Sequence, residues 1–583
     1  MRLDLRAGGW ACVGGTAARG QAFLNGELLS AWELATRFDG VDRDRSSVAA
    51  LAADLEGFYG AIVTDGVLVP DEGIALRSRD VTTTHLIADG VRTIPLYYAT
   101  DGSAVADNGR WIRDRLGASR DPVAESEFML ARYVTGPETI WRGVAATTPG
   151  TVVHVGTDGV ESDGANRHRY RDYWPADGAE NHAARLRAGF EAALDRTGRV
   201  AGDRPVAVPL SGGYDSRLLA AGMAARDREV VAFTFGRPGH PDVEVSREVA
   251  DRLGVRWEFV EYDHDRWCEW YHGEAGRGYR RRAFGGDALP FLAAWPAVRT
   301  LLEDGRVPQE ALFCPGHTVA TPSERLPPFA DGFSEPEAGE TDHDDDAVDP
   351  MVEALVEYVL ERHYSLWEWD DDAFRAAAAA RIREGLLGGR PPGSVDGPAA
   401  LAAAYERWEW AGRMSTFTAG DLRGYEELGV DWWLPLWDPA YVRAWATVPL
   451  VDRRGKRAQK SLAAEYYREA AAVPESRVRL TDRTLLPADR HLSLVRHTPA
   501  RQFTHRGGRW GPRFLAPRSA WGERGSHPLA WYGAVDPDLF DRLPPFESFY
   551  SLRTLAATGR LDLQDAEAPI PDGRRLDLPT AGW

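Results

Sequence analysis

The chain has 583 residues, 44% of them hydrophobic and 27% charged, enough for about two to four domains with ample core. A formal net charge of -19 at pH 7 excludes nonspecific binding to nucleic acid or anionic lipid, both of which need basic patches. No run of about twenty apolar residues offers a membrane span, and Met1-Arg2-Leu3-Asp4-Leu5-Arg6 lacks the apolar core of a signal peptide. A cytoplasmic protein with no nucleic-acid or membrane partner is expected.

Residues 1–156 are expected to be β-rich. The short runs Gly60 to Thr64, Val67 to Val69, Thr84 to Ala88 and Thr151 to Val155 are separated by Asp-Gly turns. The polar stretch from Gly156 to Asn181 reads as a linker, in which Tyr173-Trp174 is an apolar latch onto a neighbouring domain. The three cysteines, Cys12, Cys268 and Cys314, are too far apart for a disulfide framework or a zinc spacing.

From residue 182 the pattern changes to α/β. The apolar run Val206-Ala207-Val208-Pro209-Leu210 leads into Ser211-Gly212-Gly213-Tyr214-Asp215-Ser216 and then into a helix over Asp215 to Ala225. Two glycines between strand and helix let the chain turn tightly and aim several N–H groups at one point, where the helix dipole adds positive charge. That nest suits pyrophosphate. Ser211 and Ser216 offer hydroxyls to phosphate oxygens, and Asp215 is placed to hold a magnesium ion bridging them. The segment lacks the Gly-Lys-Ser/Thr ending of a Walker A loop and resembles the SGGxDS signature of the PP-loop ATP pyrophosphatases. The competing reading is a plain Gly-Gly turn in another α/β domain. A second strand over Glu229 to Phe235, a helix over Val243 to Leu253 capped by Asp242 and ended by Gly254, and a third strand over Arg256 to Tyr262 complete a βαβαβ pattern. A doubly wound parallel sheet follows, with ligands beyond the carboxyl ends of its strands.

Further on, Pro336 to Asp349 is an acidic insertion that reads as a solvated loop rather than a metal site. Helix-forming composition dominates from Met351 to Ala472, and residues 481–583 form a C-terminal extension without clear periodicity. Only two lysines occur, Lys456 and Lys460, so 67 of the 69 basic residues are arginine. Keeping lysine there suggests a compact point charge, against the simpler reading of two lysines on an exposed turn.

Several segments in the same order resemble the asparagine synthetase family. Leu55-Glu56-Gly57-Phe58-Tyr59-Gly60, Ala75 to Asp80 and Ile94-Pro95-Leu96-Tyr97-Tyr98-Ala99 are similar to the "L.G.fa…RD..G..PLYY" run of its glutaminase domain. Trp141-Arg142-Gly143-Val144 and Thr148-Pro149-Gly150-Thr151 are similar to the "f.gI..l.PG" end of that domain. Ser211 to Ser216 is the PP-loop, and Gly429-Val430-Asp431-Trp432-Trp433-Leu434-Pro435-Leu436-Trp437-Asp438 resembles "GlEaRsPFLD", followed by lysines where the family has "K..LR".

The resemblance implies an α/β protein: an N-terminal α+β Ntn-type sandwich over 1–156, degenerate as a glutamine amidotransferase, then a PP-loop synthetase domain over 182–480 with helical C-terminal additions. It implies ATP and magnesium as cofactors, a carboxylate substrate, and ammonia or an amine as nucleophile, from solution or a separate nitrogen-donor protein. A homodimer is compatible. Nucleotide contacts fall on Ser211, Gly212, Gly213, Asp215, Ser216, Thr234, Phe235 and Gly316. Catalytic roles fall on Asp431, Lys456 and Lys460, with Lys456 favoured because it follows Gly455 on a turn. Asp431 stands on the family's general-base glutamate, either to deprotonate the attacking ammonium or to anchor its loop.

Two departures stand out. Glutamine-using members carry cysteine directly after the initiator methionine, where this chain has Arg2, and the "NGE"-like Asn25-Gly26-Glu27 comes early, as in a domain truncated at its front. The domain is therefore expected to be a scaffold without glutaminase activity, with Cys12 structural rather than nucleophilic. In the synthetase half, the acidic "GxGxDE" loop is replaced by Leu312 to Glu324. Glu324 then supplies a second magnesium carboxylate from a shifted position, or Asp215 suffices with waters, and His317 either bonds a phosphate or stabilises its loop. Three functions compete: an asparagine-synthetase-like ligase, an adenylating synthetase acting on another acid as the β-lactam synthetases do, and a noncatalytic ATP-binding relic.

Overall fold

The computed structural model describes residues 1–71, 75–78, 81–156, 159–164, 180–327, 350–391 and 393–471, together with 529, 550, 554, 576 and 578–580. The Tyr173-Trp174 latch, the Arg79-Asp80 dipeptide, the acidic insertion and nearly all of the C-terminal extension lie outside the described residues.

The first 164 residues build two sheets from β1 (Arg2–Leu5), β2 (Ala11–Val13), β3 (Thr16–Leu24), β4 (Glu27–Leu29), β5 (Leu55–Thr64), β6 (Val69–Asp71), β7 (Ala75–Ser78), β8 (Thr83–Ala88), β9 (Tyr97–Ala99), β10 (Ala104–Ala106), β11 (Val144–Ala146), β12 (Thr151–Gly156) and β13 (Gly159–Gly164). One sheet runs β11-β9-β10-β1-β7-β6 and the other β13-β12-β8-β5-β3-β2, with β4 paired to β3. Period-2 alternation sends neighbouring side chains to opposite faces. Tyr98, Val105 and Ala145 thus meet Ala17, Ile62, Leu86, Val153 and Val155 between the sheets, making a sandwich core. On the second sheet's outer face, Tyr59, Ala61 and Val63 pack on α1 (Ala31–Asp39) and α2 (Arg45–Asp54) through Leu34, Phe38, Val48 and Ala52. Ser30 and Asp44 cap these helices by accepting first-turn N–H groups.

The first sheet's outer face carries α3 (Gly109–Leu116) and α4 (Pro122–Ala131), and from there a continuous apolar core runs into the rest of the chain. Phe58 meets the edge of Trp433 at 4.6 Å between ring centres. Arg92 and Asp287 form a buried ion pair, with the Tyr97 hydroxyl donating to Asp287 at 3.0 Å.

The second sheet system holds β14 (Val206–Pro209), β15 (Val230–Gly236), β16 (Arg256–Glu261) and β17 (Leu312–Phe313), all parallel, in the order β16-β15-β14-β17. Strands buried on both faces read as unbroken apolar runs, as Val206-Ala207-Val208 does. Helix α5 (His182–Ala201) leads into β14, and α6 (Tyr214–Ala224) and α7 (Pro241–Leu253) supply the crossovers from β14 to β15 and from β15 to β16, so the α/β, doubly wound expectation holds. The cap of α7 differs from expectation: His240 Nδ1 accepts from Asp242 N at 3.2 Å, because Pro241 takes the first helical position and leaves His240 outside it. After α8 (His264–His272), α9 (Glu274–Ala283), α10 (Trp295–Glu303) and α11 (Thr321–Glu324) the chain is helical, as composition indicated: α12 (Pro350–His363), α13 (Asp372–Leu387), α14 (Pro398–Glu409), a π-helical turn (Trp410–Phe417), a 3-10 turn (Thr418–Asp421), α15 (Leu422–Glu427), α16 (Pro439–Trp445), α17 (Leu450–Arg453) and α18 (Arg457–Ala471). Helix α18 packs along α6, which brings the two lysines to the start of α6.

Candidate active site

Strand order reverses at β14, since β15 lies on one side of it and β17 on the other. A crevice therefore opens beyond the carboxyl ends of β14 and β17, the place where doubly wound sheets bind ligands. The loop Leu210 to Gly213 rises from β14 into this crevice, and the loop Cys314 to Ala320 rises from β17.

Loop and helix are tied by hydroxyls. Ser211 N donates to Ser216 Oγ at 3.0 Å, the two serine Oγ atoms lie 3.1 Å apart, and Gly213 N donates to Ser211 Oγ at 3.2 Å. Arg217, almost fully buried, donates to the Gly212 carbonyl at 3.0 Å and fixes the loop from below. The N-cap residue of α6 is Gly213, which has no side chain to bond the first-turn N–H groups, so those donors face the crevice. Gly316 lies against this helix end: a Cβ there would stand 3.1 Å from Ser216 N, a tight contact to which the neighbour would have to yield, so glycine eases the approach of the β17 loop.

Asp215 is held at both oxygens. Lys456 Nζ lies 3.0 Å from Asp215 Oδ2 and 3.0 Å from Glu324 Oε2, while the Gln459 amide donates to Asp215 Oδ1. Gln459 Oε1 accepts from Thr318 Oγ1 at 2.7 Å and Tyr441 OH at 3.0 Å, which fixes the amide with its NH₂ toward Asp215. Burial works to lower the Lys456 pKa, but the carboxylates of Asp215 and Glu324 outweigh it and hold the ammonium above its usual range. Burial likewise works to raise Glu324, and the Lys456 charge, aided by Lys460 and Arg325, overrides it and holds that carboxyl below its usual range. Lys456 sits at φ 60, directly after Gly455 at φ 63. A left-handed backbone costs a non-glycine residue roughly 1–2 kcal/mol, and such strain gathers at functional sites.

The structure thus brings together Ser211, Gly212, Gly213, Asp215, Ser216, Gly316, Glu324 and Lys456. Lys460 stands to one side, its Nζ 5.7 Å from the centre of the Tyr214 ring. Phe235, half-buried near the end of β15, stacks on Tyr262 at 5.2 Å. Two expectations need correction. The Thr234 hydroxyl is engaged inside the fold, donating to Leu210 O at 2.7 Å and receiving Trp257 Nε1 at 3.0 Å, so it links strands and offers nothing to a nucleotide. Asp431 lies at the wrong end of the sheet. Its carbonyl accepts from Phe313 N at 2.9 Å, its carboxylate is paired with Arg204 just before β14, and its side chain is 66% exposed. Phe313 pairs with Ala207, four residues before Ser211, which sets Asp431 about 13 Å from the loop at 3.3 Å per residue.

Sequence reasoning missed Gln459, Thr318 and Tyr441. One signal was available for the first. With Lys456 at the head of the "K..LR" pattern, Gln459 replaces an apolar leucine, and a polar residue at an apolar position asks for a partner.

Two carboxylates facing one ammonium make a set of hard oxygens built around a cation, which fits magnesium in chemistry. Among the described residues no group of three or more His, Cys, Asp or Glu side chains could hold a metal, so phosphate oxygens and water would have to complete its shell. None of the helices described is long and apolar enough to cross a membrane. No curated protein matches the chain. Residues 185–269, from α5 through the PP-loop and all of β15 and β16 into α8, match the family model for asparagine synthase. That segment, which carries Asp215 and the uncapped start of α6, is similar to the asparagine synthase family, and the match supports a relationship to ATP-dependent amide-forming ligases.

Proposed function

We propose that this protein activates a carboxylic acid with ATP, releases pyrophosphate and joins the acyl group to ammonia or an amine, without glutaminase activity of its own. The observation that carries the reading is the single ammonium of Lys456 set between Asp215 and Glu324 at the open end of α6. A substrate carboxylate oxygen attacks the α-phosphorus, and the bond from that phosphorus to the bridging oxygen breaks to free pyrophosphate. Backbone N–H groups at the start of α6 and the hydroxyls of Ser211 and Ser216 hold the phosphates in line. Lys456 exchanges its bond to Asp215 for the charge growing on the phosphates, where a preorganised cation lowers the barrier most. Magnesium on Asp215 and Glu324 would supply further neutralisation of phosphate charge.

The absence of glutaminase activity is supported at Cys12. This residue is half-buried on β2 with Sγ 3.8 Å from Leu68 O, and burial, with the charge of Asp39 adding, pushes its thiol up and away from the reactive thiolate. The nitrogen then comes from ammonium, an amine or a separate donor protein.

ATP–pyrophosphate exchange with magnesium and a panel of carboxylic acids tests the reading. Acid-dependent exchange is the expected result; folded protein giving no exchange with any acid overturns it. A noncatalytic nucleotide-binding role is favoured by one observation, that both Asp215 oxygens are already taken by Lys456 and Gln459. Nucleotide binding without exchange would select it.

A further inference from the structure

Adenylation needs no general base, but amine attack does, because an ammonium has no electron pair until it loses a proton. Asp431, on the family's base position, is turned to Arg204 at the amino ends of the strands. The β17 loop offers another candidate. Between Ala311 and Ala320 every residue is buried except Gly316 and His317.

His317 Nε2 lies 3.2 Å from Asp421 Oδ2, with side chains 17% and 8% exposed. In the tautomer whose Nε2 proton donates to the Asp421 carboxylate, Nδ1 is the ring atom that keeps a free lone pair. The ring also rests on Trp437 at 5.6 Å, itself packed on Trp410 at 4.7 Å, so the imidazole is held by an ion partner and an aromatic wall together. Both sequence neighbours of His317 are linked to the phosphate-loop helix, one by close approach and one through Gln459 of α18. Gly316 lies against Ser216, and Thr318 reaches Asp215 through Gln459. Asp421 is close enough to Tyr262, the first residue after β16, for its charge to help keep that phenol protonated, which sets the pair on the same strand ends as the loop.

We propose that His317 is the general base of the amine-transfer half of the reaction, with Asp421 as its positioning residue. The inference rests on the ligase reading above. His317 Nδ1 takes one proton from the attacking ammonium, whose nitrogen then supplies the pair for the new C–N bond. The acyl C–O bond breaks and its pair leaves on AMP. A second proton, shed by the new amide nitrogen, passes to solvent, as does the one on His317. An oriented base of this kind typically contributes about 10²–10⁴-fold.

The test uses the full chain, an acid that supports exchange, and ammonium chloride as nitrogen probe, with ATP–pyrophosphate exchange and amide formation measured separately. In His317→Gln, exchange should stay close to wild type while amide formation falls ~10²–10⁴-fold. In His317→Gly, added imidazole should restore part of the amide formation, which a merely structural loss would not allow. Asp421→Asn should lower amide formation less, again sparing exchange. Unchanged amide formation in His317→Gln, or equal loss of both half-reactions with no imidazole rescue, would overturn the assignment. Wild-type protein without exchange would remove the ligase reading itself, a distinguishable failure that takes this inference with it.

Discussion

Lys456 and Asp215, 241 residues apart in the chain, meet at 3.0 Å, and this contact gives the nucleotide loop its cation. Lys456→Met should lower ATP–pyrophosphate exchange by ~10²–10³, comparable to removing one transition-state donor, with a smaller change in ATP affinity. Lys460→Met should stay near wild type, because its contact with Tyr214 is a partly exposed cation–π pair of about 0.5–1 kcal/mol. Exchange rates and ATP titrations of both variants decide it, and equal losses would contradict the geometry.

Gln459 holds the oxygen of Asp215 that Lys456 leaves free. Gln459→Met keeps the length and removes the donor, so the magnesium concentration needed for half-maximal exchange should rise roughly 10–100-fold, the usual cost of losing a metal ligand's support. Manganese binding in the presence of pyrophosphate should weaken in step. A melting-temperature loss with unchanged metal affinity would make Gln459 a packing residue only.

Asp431→Ala should leave exchange and amide formation close to wild type. Its partner Arg204 is bonded besides to Ala201 O at 3.0 Å and Val200 O at 2.7 Å, and an exposed pair of this kind contributes below about 1 kcal/mol to stability. Large loss of amide formation with exchange retained would restore Asp431 to the mechanism at the expense of His317.

Asp89 gives the sandwich a pH signature. Burial pushes its carboxyl up to about 6, against hydrogen bonds from Thr93, Val91 and Tyr59 that favour the anion. Because the folded pKa lies above the unfolded one, the folded state binds the extra proton, and this group's contribution to stability grows as pH falls from about 6 toward the ordinary carboxylate range. Asp89→Asn cannot titrate, so in denaturation curves between pH 7 and 4 wild type should gain stability relative to the variant as pH falls through about 6. A constant gap would place the Asp89 pKa at its ordinary value.

The residue string alone determined the phosphate-loop unit, because everything that makes it is local. Val206 to Leu210 reads as a buried strand, Gly212-Gly213 as the turn and Asp215 to Ala225 as the helix, one residue off the observed α6, and neighbours in sequence fix all three. The short runs Gly60 to Thr64, Thr84 to Ala88 and Thr151 to Val155 likewise disclosed strands, and they fall in β5, β8 and β12. Which residues face the loop from far away was decided by tertiary structure. Packing of α18 along α6 delivers Lys456 and Gln459 to Asp215, and no periodicity in either helix announces that meeting. Asp431 marks the same limit from the other side. Its block resembles a family pattern, yet position along a strand selects one end of the sheet, and only pairing with Phe313 shows that end to be the one away from the phosphate loop.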